Sequence, residues 1–208
     1  MKRSQKRGAK RKSRVNKIYK SPNSTVFNVN CECLMTLRGA NASSAVQCFE
    51  SGLAYINISN LLTTATTFTE NTTRFAMYRI NGVKIEARPI FEPSSTTVNE
   101  HIVFGLGFYP SQTAAYIGSN QVMNYDKSLV CSTNQPIMSR KQTFYNNYYE
   151  GTGSGGYGTW NASSSASGIT GSIQIGNYPA MTAFASAASI AIVRVIFNVT
   201  FKEKQLTA

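Results

Sequence analysis

Apolar residues recur every second position through much of this chain. In TVFNVNCECLMTL, Phe27, Val29, Cys31, Cys33, Met35 and Leu37 fall on one side, and Asn28, Asn30, Glu32 and Thr36 on the other. That period predicts a long, half-buried strand. RGANASSA reads as a loop and LAYINIS (53–59) as a second strand. NLLTTATTFTENTTRFAMY (60–78) lacks clean alternation and is assigned a short helix. RINGVKIEARPIF (79–91) alternates again, with Val83, Ile85 and Ala87 opposite Lys84, Glu86 and Arg88, and Pro89 marking an edge or a strand end. EPSSTTVN is a loop, and HIVFGLGFYP sets Ile102, Phe104, Leu106 and Phe108 on one face. From Ser111 to Arg140 the expectation is a loop, a short helix near Tyr125–Val130 and a strand near Gln135–Arg140. QTFYNNYYE (142–150) is strand-like, residues 151–171 form a long Gly/Ser-rich surface loop, and SIQIG (172–176) is a short strand. The closing run puts Ala191, Val193, Val195, Phe197, Val199 and Phe201 opposite Arg194, Asn198 and Thr200.

Seven or eight strands with little helix between them indicate an antiparallel sandwich or barrel, not a parallel α/β sheet. No repeat at a fixed period is visible, which disfavours a propeller or solenoid. The pattern begins only after the turn-like Ser21-Pro22-Asn23-Ser24. Residues 1–20 are expected to be a disordered arm and residues 21–208 one folded domain.

Charge sharpens that division. Lys2, Arg3, Lys6, Arg7, Lys10, Arg11, Lys12, Arg14, Lys17 and Lys20 crowd the arm, which holds no Asp or Glu. The remaining 188 residues carry eleven Lys or Arg against nine acids, so nearly all of the net +12 lies in the arm. These ten cations are the candidate nucleic-acid-binding residues, acting on phosphates through counterion release. Ten phosphate contacts on a single strand correspond to a log–log salt slope of about −7. Few arm side chains suit base edges, so binding should be independent of sequence. KRGAKRKSR (6–14) also fits the loose pattern of a nuclear-localisation patch, which implies an import receptor. In the body, charged residues are scarce (14% of the whole chain) and Ser, Thr, Asn, Gly and Ala abundant. Low charge leaves little repulsion between copies.

Enzyme chemistry finds no support. The single histidine, His101, sits at a strand start, and the acids are spread singly. Gly153-Ser154-Gly155-Gly156-Tyr157-Gly158 matches G-x-G-x-x-G but neither ends a strand nor opens a helix. Cys31, Cys33, Cys48 and Cys131 do not have zinc-ribbon spacing and are expected to be buried free thiols, so no metal and no cofactor are expected. Six N-x-[ST] triplets, at Asn23, Asn41, Asn57, Asn71, Asn161 and Asn198, are read as by-products of composition. There is no signal-peptide pattern, and AFASAASIAIVRVIFNVTF is broken by Ser186, Ser189, Arg194 and Asn198, so no membrane span is expected.

FTENTTRFAMYRINGVKIEARPIF resembles a segment of the capsid proteins of circovirus-like circular single-stranded DNA viruses. The matching places are Phe75, Tyr78, Arg79, Ile80, Val83, Lys84, Ile85 and Pro89. VRVIFNVTFKEK is similar to that family's final strand, and the Trp160 region followed by SIQIG to its late loop-and-strand pair. The Lys-rich arm is shorter than many in the family, and the middle Asp-rich stretch is reduced to Tyr125-Asp126. The resemblance implies an eight-stranded antiparallel jelly roll. It further implies self-assembly into an icosahedral shell of 60 copies, packaging of single-stranded DNA, a place in the virion, and passage through the host nucleus. Loops 92–100, 111–124 and 151–171 would face outward or line symmetry axes. Alternatives are the capsid of a small or satellite RNA virus, which shares size, arm and fold, and a non-viral basic-tailed nucleic-acid-binding β-domain. A β-sandwich carbohydrate binder would need an export route that the sequence does not show.

Overall fold

The computed structural model describes residues 26–39, 46–90, 102–109, 121–122, 128–133, 137–143, 160–164, 171–177 and 189–204. The arm, His101, loop 92–100 and most of 111–124 and 144–159 lie outside these residues.

The strands are β1 (Phe27–Gly39), β2 (Val46–Cys48), β3 (Tyr55–Asn57), β4 (Phe75–Pro89), β5 (Val103–Tyr109), β6 (Leu129–Ser132), β7 (Met138–Thr143), β8 (Asn161–Ala162), β9 (Ser172–Asn177) and β10 (Ser189–Lys204). Two short helices, α1 (Ile58–Thr63) and α2 (Thr66–Thr72), lie between β3 and β4. Pairing is nested and antiparallel throughout. β1 pairs β10, β3 pairs β9, β4 pairs β7 and β5 pairs β6. Cross-pairs β10–β4 and β9–β5 then join these hairpins into two sheets, ordered β2-β1-β10-β4-β7 and β3-β9-β5-β6. A long hairpin rolled on itself in this way is a jelly roll, with β2 and β8 as small additions at the edges of the first sheet.

Most inward positions of β1 and β10 are those the alternation assigns, although Phe27 is exposed and Thr200, on the outward row, is buried. Cys31, Cys33, Met35 and Leu37 meet Phe197, Val195, Val193 and Ala191 in register, all of them buried. Ile102, Phe104, Leu106 and Phe108 supply the other side. Both faces of β5 and β9 are buried, which is why Gly105, Gly107, Gly176 and a hydrogen-bonded Ser172–Gln174 pair occupy their second face. At Gly107 a Cβ would lie 2.7 Å from the Tyr109 ring, so only glycine fits under it.

The structure departs from the expectations in several places. LAYINIS (53–59) is strand only at Tyr55–Asn57, with Ile58 opening α1, and the strand expected near Gln135–Arg140 runs over Met138–Thr143. Residues 129–132 form β6, not the end of a helix over 125–130, because Leu129 and Cys131 turn inward against β5. Asn161–Ala162, expected in the 151–171 loop, pairs with Met77–Tyr78 and continues the sheet edge beyond β7. Val46–Cys48 is a strand that the sequence does not announce, because three residues are too few for a period to be seen. The single helix expected within 60–78 is two, and β4 starts at Phe75. Thr63, Thr64, Thr69, Thr72 and Thr73 each return a hydroxyl bond to a carbonyl in the preceding turn. That local bonding, together with burial of Ile58, Leu61, Leu62 and Phe68, holds as helix a threonine-rich stretch of low propensity.

Candidate nucleic-acid interface

Alternation leaves one row of each long strand facing away from the core. On the first sheet this face carries Asn28, Asn30, Glu32, Leu34, Thr36 and Arg38 from β1. It carries Ile192, Arg194, Ile196, Asn198, Thr200 and Lys202 from β10, and Arg79, Asn81, Lys84, Glu86 and Arg88 from β4. Three clusters organise it.

The first is ionic. Arg194 bonds Glu32 at 2.5 Å and Glu86 at 3.4 Å, and Lys84 pairs with Glu86. Cross-strand spacing puts the four charges on neighbouring strands. The hydrogen bond from Lys84, reinforced by the Arg194 charge, holds the Glu86 carboxyl below its usual range, and Glu32 raises Arg194. The folded-state lowering means Glu86 stabilises above the ordinary carboxyl pKa and loses that contribution as pH falls through its folded value.

The second cluster arises from a β-bulge. Asn198 faces Gly82 while Val199 faces Ile80, so Asn81 and Gly82 together oppose one residue. The extra residue switches the inward positions of β4 from Tyr78 and Ile80 to Val83, Ile85 and Ala87. It also places Asn81 over the neighbouring strand. Asn81 donates to Asn198 Oδ1 (3.0 Å) and Thr200 Oγ1 (2.6 Å), and Asn198 donates to Asn30 Oδ1 (3.0 Å). Beside these amides is a hollow of about 390 Å³ lined by Asn30, Asn81, Gly82, Val83, Lys84, Ile196 and Asn198.

The third cluster surrounds Trp160. Arg79 and Lys202 lie 4.8 and 4.6 Å from the centre of its indole ring, within cation–π range. The Arg79 Nε also donates to Asn81 Oδ1 at 3.1 Å, joining this cluster to the amides. All of this sits at the end of the sheet where β1 begins. There Phe27 faces Phe201 and stacks on Phe75 at 5.9 Å. β1 therefore begins at the same end of the sheet as the Trp160 cluster.

The ten arm cations lie outside the described residues. Sequence reasoning missed Asn30, Asn81, Asn198, Lys202 and Trp160 as members of one site. One signal was present: Ile80-Asn-Gly-Val83 breaks the period of two, and Asn-Gly at such a break marks a bulge. The four cysteines are free and buried as expected. Burial pushes Cys31 and Cys131 up to about 12 and Cys33 and Cys48 to about 11, which keeps all four as protonated thiols near neutral pH. Among the described residues no group of His, Cys, Asp and Glu could hold a metal ion. Asn71 and Asn161 are buried, which leaves no room for a glycan at those triplets.

No family model and no curated protein matches the chain. Solved structures do. The giant freshwater prawn Macrobrachium rosenbergii nodavirus particle matches with a TM-score of 0.58 at 9% identity, over 90% of this chain and 98% of that one. Mud crab tombus-like virus gives 0.57 at 6%, over 93% and 96%. A T=1 subviral particle of a Penaeus vannamei nodavirus capsid protein deletion mutant gives 0.56 at 11%, over 87% and 100%. These are RNA-virus structures, so the circovirus-like part of the resemblance gains no support from them. At such identities the likeness is one of fold: the chain folds as the jelly roll on which those virus particles are built.

Proposed function

We propose that this chain is a viral capsid protein that assembles with copies of itself into a small icosahedral shell and packages single-stranded nucleic acid. The observation that carries the reading is the nested jelly-roll topology, matched over about nine-tenths of this chain and nearly all of several virus coat chains, behind a strongly basic arm. The body suits self-contact. Its net charge is about +2 (eleven minus nine), and Leu34, Phe49, Ile137 and Ile192 are exposed apolar side chains. Such a role is structural and asks no catalysis of the chain.

The genome expectation changes from DNA to RNA. The neighbours belong to RNA viruses, and the small-RNA-virus alternative fits them better than the single-stranded DNA reading. Residues 1–20 act as the polyanion-binding arm and residues 21–208 as the shell domain. A T=1 shell of 60 copies would enclose on the order of 600 arm charges, enough to make neutralisation of a packaged strand the main packaging force. The virion is the proposed location. The import patch at 6–14 has no counterpart among the observations on the neighbours, and the reading does not depend on it.

Electron microscopy of the expressed protein, with RNase and DNase digestion of extracted nucleic acid, tests this directly. Closed particles holding RNase-sensitive material are expected. Protein that stays monomeric at physiological salt, with or without nucleic acid, would sink the capsid reading. DNase-sensitive contents would reverse the choice of genome alone.

A further inference from the structure

Over most of its length β1 is the rim of its sheet. On one side it pairs with β10 from Phe27 to Arg38. On the other, β2 covers only Leu37–Gly39. That cover ends at Thr36, whose carbonyl accepts from the Phe49 N–H (2.8 Å) and whose N–H donates to the Glu50 carboxylate (2.9 Å). The backbone of Thr36 therefore points away from β10. In an antiparallel ladder that direction recurs at every second residue, and the β1–β10 register is unbroken from Phe27 to Leu37. The N–H and C=O groups of Asn28, Asn30, Glu32 and Leu34 thus point off the edge, where no strand pairs with them among the described residues.

Such an edge is a template for another strand, and proteins usually blunt it with Pro, Lys, a bulge or a short length. Residues 27–35 use none of these devices. Their one charge, Glu32, is matched by Arg194 of the same sheet. Phe27, although on the inward row, is 42% exposed, and Leu34 is 65% exposed.

A second copy fits this edge in one register. Set antiparallel about a two-fold axis, with Cys31 opposite Cys31 of the other copy, Asn28 faces Leu34 and Asn30 faces Glu32. Every edge-facing residue from Asn28 to Leu34 then exchanges backbone bonds with its opposite. On the core side Phe27 comes beside Met35 and Val29 beside Cys33, apolar against apolar. A slip toward Thr36 sets Glu32 against Glu32 and brings Asn28 to a backbone that Phe49 and Glu50 already hold. The opposite slip leaves Leu34 facing Val26, which lies outside β1.

We propose that the open edge of β1, residues 27–35, is a two-fold contact between copies of this chain that joins their first sheets into one. The inference rests on the self-assembly reading and names a contact for it. A two-fold contact needs one patch that complements itself, and this edge does so in both backbone and side chains.

The test uses the full-length chain under assembly conditions, with disulfide exchange between added cysteines. Asn28→Cys, activated with dithiodipyridine, is mixed with Leu34→Cys. Disulfide-linked dimer is expected at least about tenfold faster than when either variant is mixed with the wild-type chain, because only opposed residues come within disulfide reach. Asn30→Pro removes an N–H from the open edge and none from the β10 ladder. It should keep the β-sheet circular-dichroism signal while the dissociation constant between copies rises at least about tenfold. Asn30→Lys leaves the backbone untouched and should weaken association in the same direction. Asn30→Cys that links to itself in place of the mixed pair would overturn this register. Closed particles without the mixed link, or Pro and Lys variants that associate as the wild type does, would overturn the edge contact and leave the capsid reading standing. Protein that stays monomeric in every condition would remove both.

Discussion

At the residue scale, the two polar groups that matter most are placed in opposite ways. Asn81 is half-buried and makes three side-chain bonds. Tyr78 is fully buried, edge-on to Phe68 at 5.0 Å, and its hydroxyl finds no partner among the described residues. Burial pushes its ionisation far up, so it stays neutral. An unpartnered buried hydroxyl is costly, on the order of 1–3 kcal/mol. Tyr78→Phe is therefore expected to leave stability unchanged or to raise it by about 1 kcal/mol. Urea denaturation of unassembled subunits would read the shift, and a loss of more than 1 kcal/mol would show that the hydroxyl is bonded. In the sequence Tyr78 stood out only as a matching place of the capsid-like segment, at the end of a stretch without clean alternation. Its orphaned hydroxyl was not legible there, because that depends on Phe68 and Phe201 arriving from other elements.

At the element scale, β10 dominates. It pairs along nearly its whole length with β1 on one side and β4 on the other, so its inward row is screened from all directions. Phe197 lies opposite Cys31 and Val83 and is fully buried. Phe197→Ala is expected to cost about 3–5 kcal/mol through lost burial and the cavity left behind. Val130→Ala, on the exposed side of β6, should cost under about 0.5 kcal/mol. Comparing the two denaturation midpoints checks the assignment, and similar losses would contradict the register. Long strands announce themselves because six or seven alternations cannot be accidental. The threonine-rich helices and the three-residue β2 do not. The former are held by local hydroxyl bonds and tertiary burial, and the latter by pairing with Leu37–Gly39.

At the scale of the whole molecule, the proposed reading divides the work between the arm and the body. A first sheet ordered β2-β1-β10-β4-β7 brings the chain's opening and closing strands together. The body is then closed without residues 1–20, whose removal should leave its core intact. The T=1 subviral particle of Penaeus vannamei nodavirus is formed by a capsid protein deletion mutant lacking both residues 1–37 and 251–368. Deleting residues 1–20 here is expected to preserve the β-sheet circular-dichroism signal and particle formation, and to cut packaged nucleic acid sharply. The salt slope of binding should fall by about 7. A lost β-sheet signal would refute the division at residue 20.

The amino-acid sequence alone determined the antiparallel strands, their inward faces, the buried thiols and the segregation of charge. Each of these follows from short-range periodicity or simple counting. Only the tertiary structure decided the strand order, the bulge at Asn81–Gly82, and the assembly of Asn30, Asn198, Arg79, Lys84, Lys202 and Trp160 on one face. Those residues are up to about 170 positions apart in the chain. Their meeting depends on nested pairing, which a local pattern does not encode.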